Sequence, residues 1–380
     1  MSRLRVSLDV SAVPPRPAGA GRYTLELLGA LSARDQIDLV ALARRGSGSM
    51  LEPFAKGASV AEVVPTSRAA RLVYEQLRLG AALKGLGVDV HHGPHYTMPG
   101  RCPVPAVVTI HDLTFFDHPE LHERTKVHFF RRAITHAVKH AAVLVCVSDA
   151  TARRLSALFA PTQPVLVAPH GIDAARFDAA VNPGDADVLA TLGLDPNRRR
   201  IVQVGTLEPR KGVTDLLAAF ERLGAEDPSL DLVFAGQRGW GLDAFDAALG
   251  SSALSNRVHV LGYVEDAHVA ALLRTAAVVA YPSVDEGFGL PALEALACGA
   301  PLVTTQGSVM EELCGSAPYL VTANDVDSLG EGLNGALRAS EAERATRRAG
   351  GLARAATFTW ERTADVHLEA YRLAGERGRR

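Results

Sequence analysis

Short apolar runs alternate with amphipathic helical stretches along this chain, and few architectures accept that rhythm. The runs Arg5–Asp9, Ile37–Ala43, Ala106–Ile110, Val143–Val147 and Val165–Ala168 come first. Ile201–Gly205, Leu230–Ala235, Val258–Leu261, Ala277–Tyr281 and Pro301–Thr304 follow. Helical patterns such as Arg22–Leu31, Val213–Leu223 and Asp266–Thr275 lie between them. Strands that alternate with helices predict parallel sheets joined by right-handed crossovers. Strands buried on both faces should read as unbroken Val, Ile, Leu and Ala, and these do.

The chain has 380 residues, which at about 150 per domain suggests two domains. The rhythm breaks at Pro169–Phe177 and again at Asn182–Asp187, both rich in turn residues. The expected boundary is near residue 172. A last helical pattern, Thr363–Leu373, carries Val366, Leu368, Tyr371 and Leu373 as apolar anchors. Doubly wound sheets bind ligands at the carboxyl ends of their strands, so two such domains predict a site in a cleft between them.

Composition excludes several classes. Hydrophobic residues make up 47% and charged residues 22%, which excludes disorder and collagen-like repeats. Residues 1–170 carry 20 Lys and Arg against 13 Asp and Glu, a net +7, and the remainder carries −9. The basic half suits an anionic surface or substrate, or reflects scatter; its cations are too dispersed to predict nucleic-acid binding. Cys102, Cys146, Cys298 and Cys314 form no Cys-x-x-Cys pair and no zinc spacing, so a reducing compartment is expected. No run approaches the ~18 apolar residues of a membrane span. The expected location is cytoplasmic.

Four strand-to-helix segments carry chemistry. In Pro14–Tyr23, Gly19 and Gly21 bare the backbone ahead of a helix N-terminus, as a ligand loop or a plain turn would. Val107–Leu113 ends a strand on His111 and Asp112. His111 suits a hydrogen bond to a sugar hydroxyl or acid/base work, with Asp112 to orient it; otherwise Asp112 caps the next segment. Val204–Gly212 sets Gly205, Arg210 and Lys211 in a loop before a helix, a pairing suited to a diphosphate. Tyr281–Pro301 holds Glu286, Gly287, Phe288, Gly289 and Leu290 at a helix start, with Glu294 about two turns in. The exposed amides there make an anion site, and the two carboxylates suit two ends of one elongated ligand.

Glu286-x7-Glu294 within Glu-Gly-Phe-Gly-Leu-Pro, with Gly-Thr-Leu-Glu-Pro-Arg-Lys-Gly upstream, resembles the GT4 family of retaining glycosyltransferases. The likeness spans nearly the whole chain, and within the family it is similar to bacterial mannosyltransferases of polysaccharide and glycolipid assembly. It implies the GT-B fold: two Rossmann-like doubly wound parallel-sheet domains facing a central cleft. Residues 1–172 would bind the acceptor and 173–361 the nucleotide-sugar donor, with the helix of 362–380 crossing back to the first domain.

Residue by residue, the resemblance implies that Arg210 and Lys211 hold the donor diphosphate and Glu294 the ribose hydroxyls. Glu286 would contact sugar hydroxyls, and the amides of Phe288, Gly289 and Leu290 phosphate or sugar oxygens. Gly205 and Gly287 belong to the same donor loops. Tyr263 and Val264 would border the base, His111 would face the transferred sugar, and Gly19 and Gly21 would let their loop close over the phosphates.

The cations and amides are placed to stabilise charge growing on the leaving diphosphate. No metal or other cofactor is expected; Asp185-Ala-Asp187 and Asp325-Val-Asp327 match Asp-x-Asp but read as structural. The expected partners are a nucleotide sugar, with GDP-mannose preferred, and a saccharide, lipid-linked or small-molecule acceptor. The basic stretch Arg124–Lys139, with Phe129, Phe130 and Ile134, suggests peripheral contact with anionic lipid at the inner face of the plasma membrane, or a core-facing helix with solvated cations. A sugar-nucleotide epimerase and a non-catalytic nucleotide-sugar binder are the rival readings. A phosphorylase-like enzyme would need a longer chain.

Overall fold

The computed structural model describes residues 3–17 and 19–378; Met1, Ser2, Ala18, Arg379 and Arg380 lie outside the described residues. The chain forms two compact bodies. One runs to Gly171 and resumes at Thr359; the other spans Ile172–Phe358.

Among the described residues the first body holds seven strands: β1 (Leu4–Asp9), β2 (Ile37–Arg44), β3 (Ser59–Val64), β4 (Val90–Gly93), β5 (Ala106–Ile110), β6 (Val143–Cys146) and β7 (Val165–Val167). Their order is β3-β2-β1-β4-β5-β6-β7, and neighbours pair in parallel. The second body holds six: β8 (Arg199–Val204), β9 (Leu230–Ala235), β10 (Val258–Gly262), β11 (Val278–Tyr281), β12 (Leu302–Thr305) and β13 (Tyr319–Val321). Their order is β10-β9-β8-β11-β12-β13, again parallel. Central strands such as β5, β6 and β9 are buried throughout, as their sequences require. Asp231 sits inside β9 because Arg198 clamps both its oxygens, at 2.7 and 2.8 Å.

The sequence segment read as an irregular linker contains a short helix, Asp185–Thr191. Asp185 points not to solvent but to Arg274, which binds it bidentately at 2.6 and 2.8 Å. Asp325 accepts from Ser328 N at 2.9 Å and caps the helix Val326–Arg338. Both Asp-x-Asp matches therefore do structural work.

The last helix, Trp360–Gly378, completes the core of the first body. Trp360, Ala364, Ala370, Tyr371 and Ala374 pack with Val6, Leu8, Leu27 and Leu28. A buried polar chain ties it down. His367 Nδ1 bonds the Thr363 carbonyl at 2.7 Å, and a carbonyl only accepts, so Nδ1 carries the proton and Nε2 is bare. Tyr23 then donates to His367 Nε2 at 2.8 Å, and Thr109 donates to the Tyr23 oxygen at 3.0 Å. His92 Nε2 donates to Thr109 at 2.9 Å, and Tyr371 donates to His92 Nδ1 at 2.8 Å. Each link fixes the direction of the next. Burial lowers the pKa of both imidazoles, that of His367 to about 4, so the chain is neutral at physiological pH.

Candidate active site

In the second body the strand order reverses between β8 and β11, the place where an open α/β sheet presents its ligand crevice. The loops leaving these two strands are the ones that carry Arg210–Lys211 and Glu286. They are stitched together by Val284 N donating to Arg210 O at 2.9 Å, and Gln203 on β8 ties down its own loop by donating Nε2 to Lys211 O at 2.7 Å.

Gly212 makes the close approach possible. Its φ is +64°, and a Cβ there would stand 2.6 Å from the Pro282 carbonyl oxygen. Any other residue would push the Arg-Lys loop off the end of β11.

The side chains of these loops converge. Arg210 Nη1 reaches Glu286 Oε2 at 2.8 Å and the Asp285 carbonyl at 2.6 Å, while Nη2 reaches Glu208 Oε1 at 2.8 Å. Lys211 Nζ donates to Glu286 Oε1 and, at 2.6 Å, to the Tyr281 hydroxyl. Tyr281 donates to the same Glu286 oxygen at 2.9 Å. Burial alone would raise the Glu286 pKa, but the fields of Arg210 and Lys211 and their hydrogen bonds outweigh it, and the carboxyl is held well below the usual range. Burial lowers the Lys211 pKa, and Glu286 opposes that shift. The result is a buried cationic pair locked onto one carboxylate.

Gly289, with φ +102°, ends this loop and begins the helix Leu290–Ala297; a Cβ would lie 2.2 Å from Met310 Cε. Among the described residues the Gly289 and Leu290 amides find no acceptor, so a helix N-terminus offers donors beside the cations. Glu294 lies on the second turn of that helix, half-buried between Leu293 and Ala295. Phe288 is buried against Phe358, with ring centroids 6.0 Å apart. Gly205 follows β8 and donates to Ala235 O at 3.0 Å. Tyr263, exposed, and Val264, buried, follow β10.

His111, Gly19 and Gly21 belong to the first body. Gly19 has φ +50° and precedes the helix Ala20–Ser32. Gly21 is the second residue of that helix, packed near Pro14. His111 follows β5, buried, with its ring edge-on to Tyr23 at 4.8 Å. Its orienting partner is not Asp112. Nε2 bonds the Pro94 carbonyl at 2.7 Å, whereas Asp112 accepts from Thr114 N at 3.2 Å and Thr114 Oγ1 at 2.9 Å. Asp112 is bent back by that turn and caps it. Burial lowers the His111 pKa, offset in part by Pro94 and Asp112, so His111 is a neutral imidazole.

Glu208, Tyr281, Gln203 and Asp285 take part in the cluster although the sequence reading assigned them no role. Glu208, Tyr281 and Asp285 lie inside the quoted motifs; Glu208 is a neighbour of Arg210 along the chain, and only sheet order puts Tyr281 beside Lys211.

The basic helix Arg124–His140 divides its side chains. Ile134 is buried and Phe130 joins the core. Arg131 bonds the Phe115 carbonyl at 2.7 Å and lies 5.4 Å from the Phe116 ring. Phe129, Arg124, Arg132 and Lys139 remain exposed.

Residues 187–351 match the model of glycosyl transferases group 1, and residues 17–176 match that of glycosyltransferase family 4. A D-inositol 3-phosphate glycosyltransferase of Mycobacterium avium is 32% identical over 75% of this chain and 70% of its own. The chain belongs to the family 4 glycosyltransferases. O-antigen chain mannosyltransferase B of Escherichia coli is 28% identical over 93% of this chain and 96% of its own length. The Anabaena protein HepE, solved in complex with UDP and glucose, superposes with a TM-score of 0.74 at 20% identity, covering 97% of this chain and 99% of its own. The fold of this glycosyltransferase is therefore GT-B. Among the described residues no helix is long and apolar enough to cross a membrane.

Proposed function

We propose that this enzyme transfers a hexose from a nucleotide sugar, with GDP-mannose preferred, to a saccharide or lipid-linked acceptor with retention at the anomeric carbon. The observation that carries the reading is the Arg210–Lys211 pair, gathered with Glu286 at the β8/β11 switch point beside the amides of Gly289 and Leu290. Mannose and polysaccharide assembly are supported by the E. coli relative's name, and a nucleotide-sugar donor by the UDP and glucose held by HepE.

The chemistry follows from the charges. As the C1–O bond to the diphosphate breaks, negative charge grows on the leaving group and positive charge on the sugar ring. Arg210, Lys211 and the helix amides stabilise the first where it develops. Glu286, held ionised, accepts hydrogen bonds from sugar hydroxyls, and Glu294 accepts them from the ribose. The acceptor hydroxyl bonds to C1 on the face the diphosphate leaves, and its proton passes to a donor phosphate oxygen. Proton and leaving group depart together, so the step balances without a protein base or a metal.

Incubating the enzyme with GDP-, UDP- and ADP-sugars, with and without saccharide acceptors and with excess EDTA, tests the reading. GDP-mannose consumed only with an acceptor and unaffected by EDTA is expected. An epimerised sugar nucleotide formed without acceptor would overturn it in favour of the epimerase; tight binding with no turnover would favour a non-catalytic binder. The exposed Phe129 and its neighbouring cations favour a lipid-linked acceptor reached by peripheral contact. Salt-sensitive sedimentation with anionic but not neutral vesicles is expected, and no sedimentation with either leaves a soluble acceptor.

A further inference from the structure

We propose that Tyr281 is a positioning residue for the transfer: its hydroxyl sets Lys211 against Glu286 so that one Lys211 N–H remains for the donor diphosphate. The proposal rests on reading this body as the donor site.

Tyr281 closes β11 and is 1% exposed. Its backbone is rigid, because it pairs with Thr304 in β12 and its carbonyl accepts from Thr304 Oγ1 at 2.9 Å. The phenol projects from this fixed strand end into the ion cluster. It accepts from Lys211 Nζ at 2.6 Å and donates to Glu286 Oε1 at 2.9 Å. Lys211 also lies 4.7 Å from the ring centroid.

An ammonium has three donors on a flexible stem. With Glu286 alone, Lys211 has one anchor, a side chain that also serves Arg210. A second bond, to an oxygen mounted on the sheet, fixes the direction of the remaining N–H. The phenol also presents a proton to Glu286, so the shared oxygen is held from two sides and cannot swing with the lysine. Burial raises the phenol pKa well above its usual value, and the hydroxyl stays protonated for that role. Phenylalanine would fill the same volume and supply neither bond.

The test is calorimetric titration with GDP, UDP and the matching nucleosides, using the wild type, Tyr281→Phe, Lys211→Met and the double variant. Tyr281→Phe should weaken whichever nucleoside diphosphate binds by about tenfold, the scale of one charge-assisted bond. Nucleoside affinity should not change. The effect should vanish in the Lys211→Met background, since the phenol acts through the lysine. In turnover, kcat should fall more than KM rises. Incorporating 3-fluorotyrosine at position 281, which keeps both bonds, should restore wild-type affinity.

Wild-type affinity in Tyr281→Phe overturns the proposal, as does an equal loss in the Lys211→Met background. In both cases the donor-site reading stands if the wild type binds. A wild type that binds neither GDP nor UDP overturns both.

Discussion

Replacing Tyr23 by phenylalanine removes one oxygen from the middle of the buried chain that holds the last helix. The ring keeps its packing, including the stack on His170 at 4.7 Å. What changes is satisfaction. His367 Nε2 loses its donor at 2.8 Å, and the Thr109 hydroxyl loses its acceptor at 3.0 Å. Both groups lie in residues with no solvent exposure, so water cannot replace the oxygen. An orphaned buried polar group costs about 1–3 kcal/mol, so two should cost about 2–6 kcal/mol. With a urea slope of about 2 kcal/mol/M, the unfolding midpoint of this body should fall by about 1–3 M.

Tryptophan fluorescence provides the assay. The chain has two tryptophans; Trp360 lies 6.2 Å from the Tyr23 ring, and Trp240 belongs to the other body. In a Trp240→Phe background the signal reports the first body alone. Adding His367→Phe to Tyr23→Phe should cost less than the two single losses combined, because the orphaned nitrogen leaves with its partner. A loss under about 0.5 kcal/mol, the scale of an ordinary surface change, would refute the assigned chain of donors.

The same body should weaken in acid. Burial depresses the His91 and His367 pKa values to about 4 each, against about 6.5 unfolded. The unfolded state therefore binds more protons between those values. Stability should be complete above about pH 6.5 and fall as pH drops toward 4, by about 3 kcal/mol from His367 alone; a flat urea midpoint from pH 7 to 4.5 would contradict this. Gly212→Ala should abolish nucleoside-diphosphate binding with little change in the circular dichroism of the folded protein, because its Cβ would force the Arg-Lys loop from Pro282. Arg210→Ala should lower kcat more than it raises KM, since it acts on charge that grows in the transition state; a change confined to KM in steady-state kinetics would contradict it. Glu294→Ala should weaken nucleoside-diphosphate binding by about 1.5–3 kcal/mol, read by calorimetry; unchanged affinity would remove it from the site.

Much of the architecture is legible in the residues themselves. The apolar runs Ala106–Ile110 and Leu230–Ala235 coincide with β5 and β9, because a strand buried on both faces has few compositions open to it. Three strands escape that logic. In β4, Val-His-His-Gly is fully buried, yet His91 and His92 are polar and tolerate burial only through Ser7, Thr109 and Tyr371. β3 and β13 lie at sheet edges, part-exposed, and lack the unbroken apolar run. The Arg-Lys and Glu-x7-Glu motifs mark the site because backbone freedom, cations and carboxylates are local properties of a loop.

Partnership is not local. Lys211 and Glu286 are 75 residues apart, and Tyr23 and His367 are 344 apart. Sheet order decides that the loops after β8 and β11 are neighbours, that Tyr281 is the lysine's second partner beside Glu286, and that Pro94 rather than Asp112 orients His111. The sequence by itself determined the apolar strands and which loops carry charge, since those follow from residues a few positions apart. The choice of partner for each buried polar group was left to the tertiary structure, because a hydrogen bond acts over about 3 Å of space at any distance along the chain.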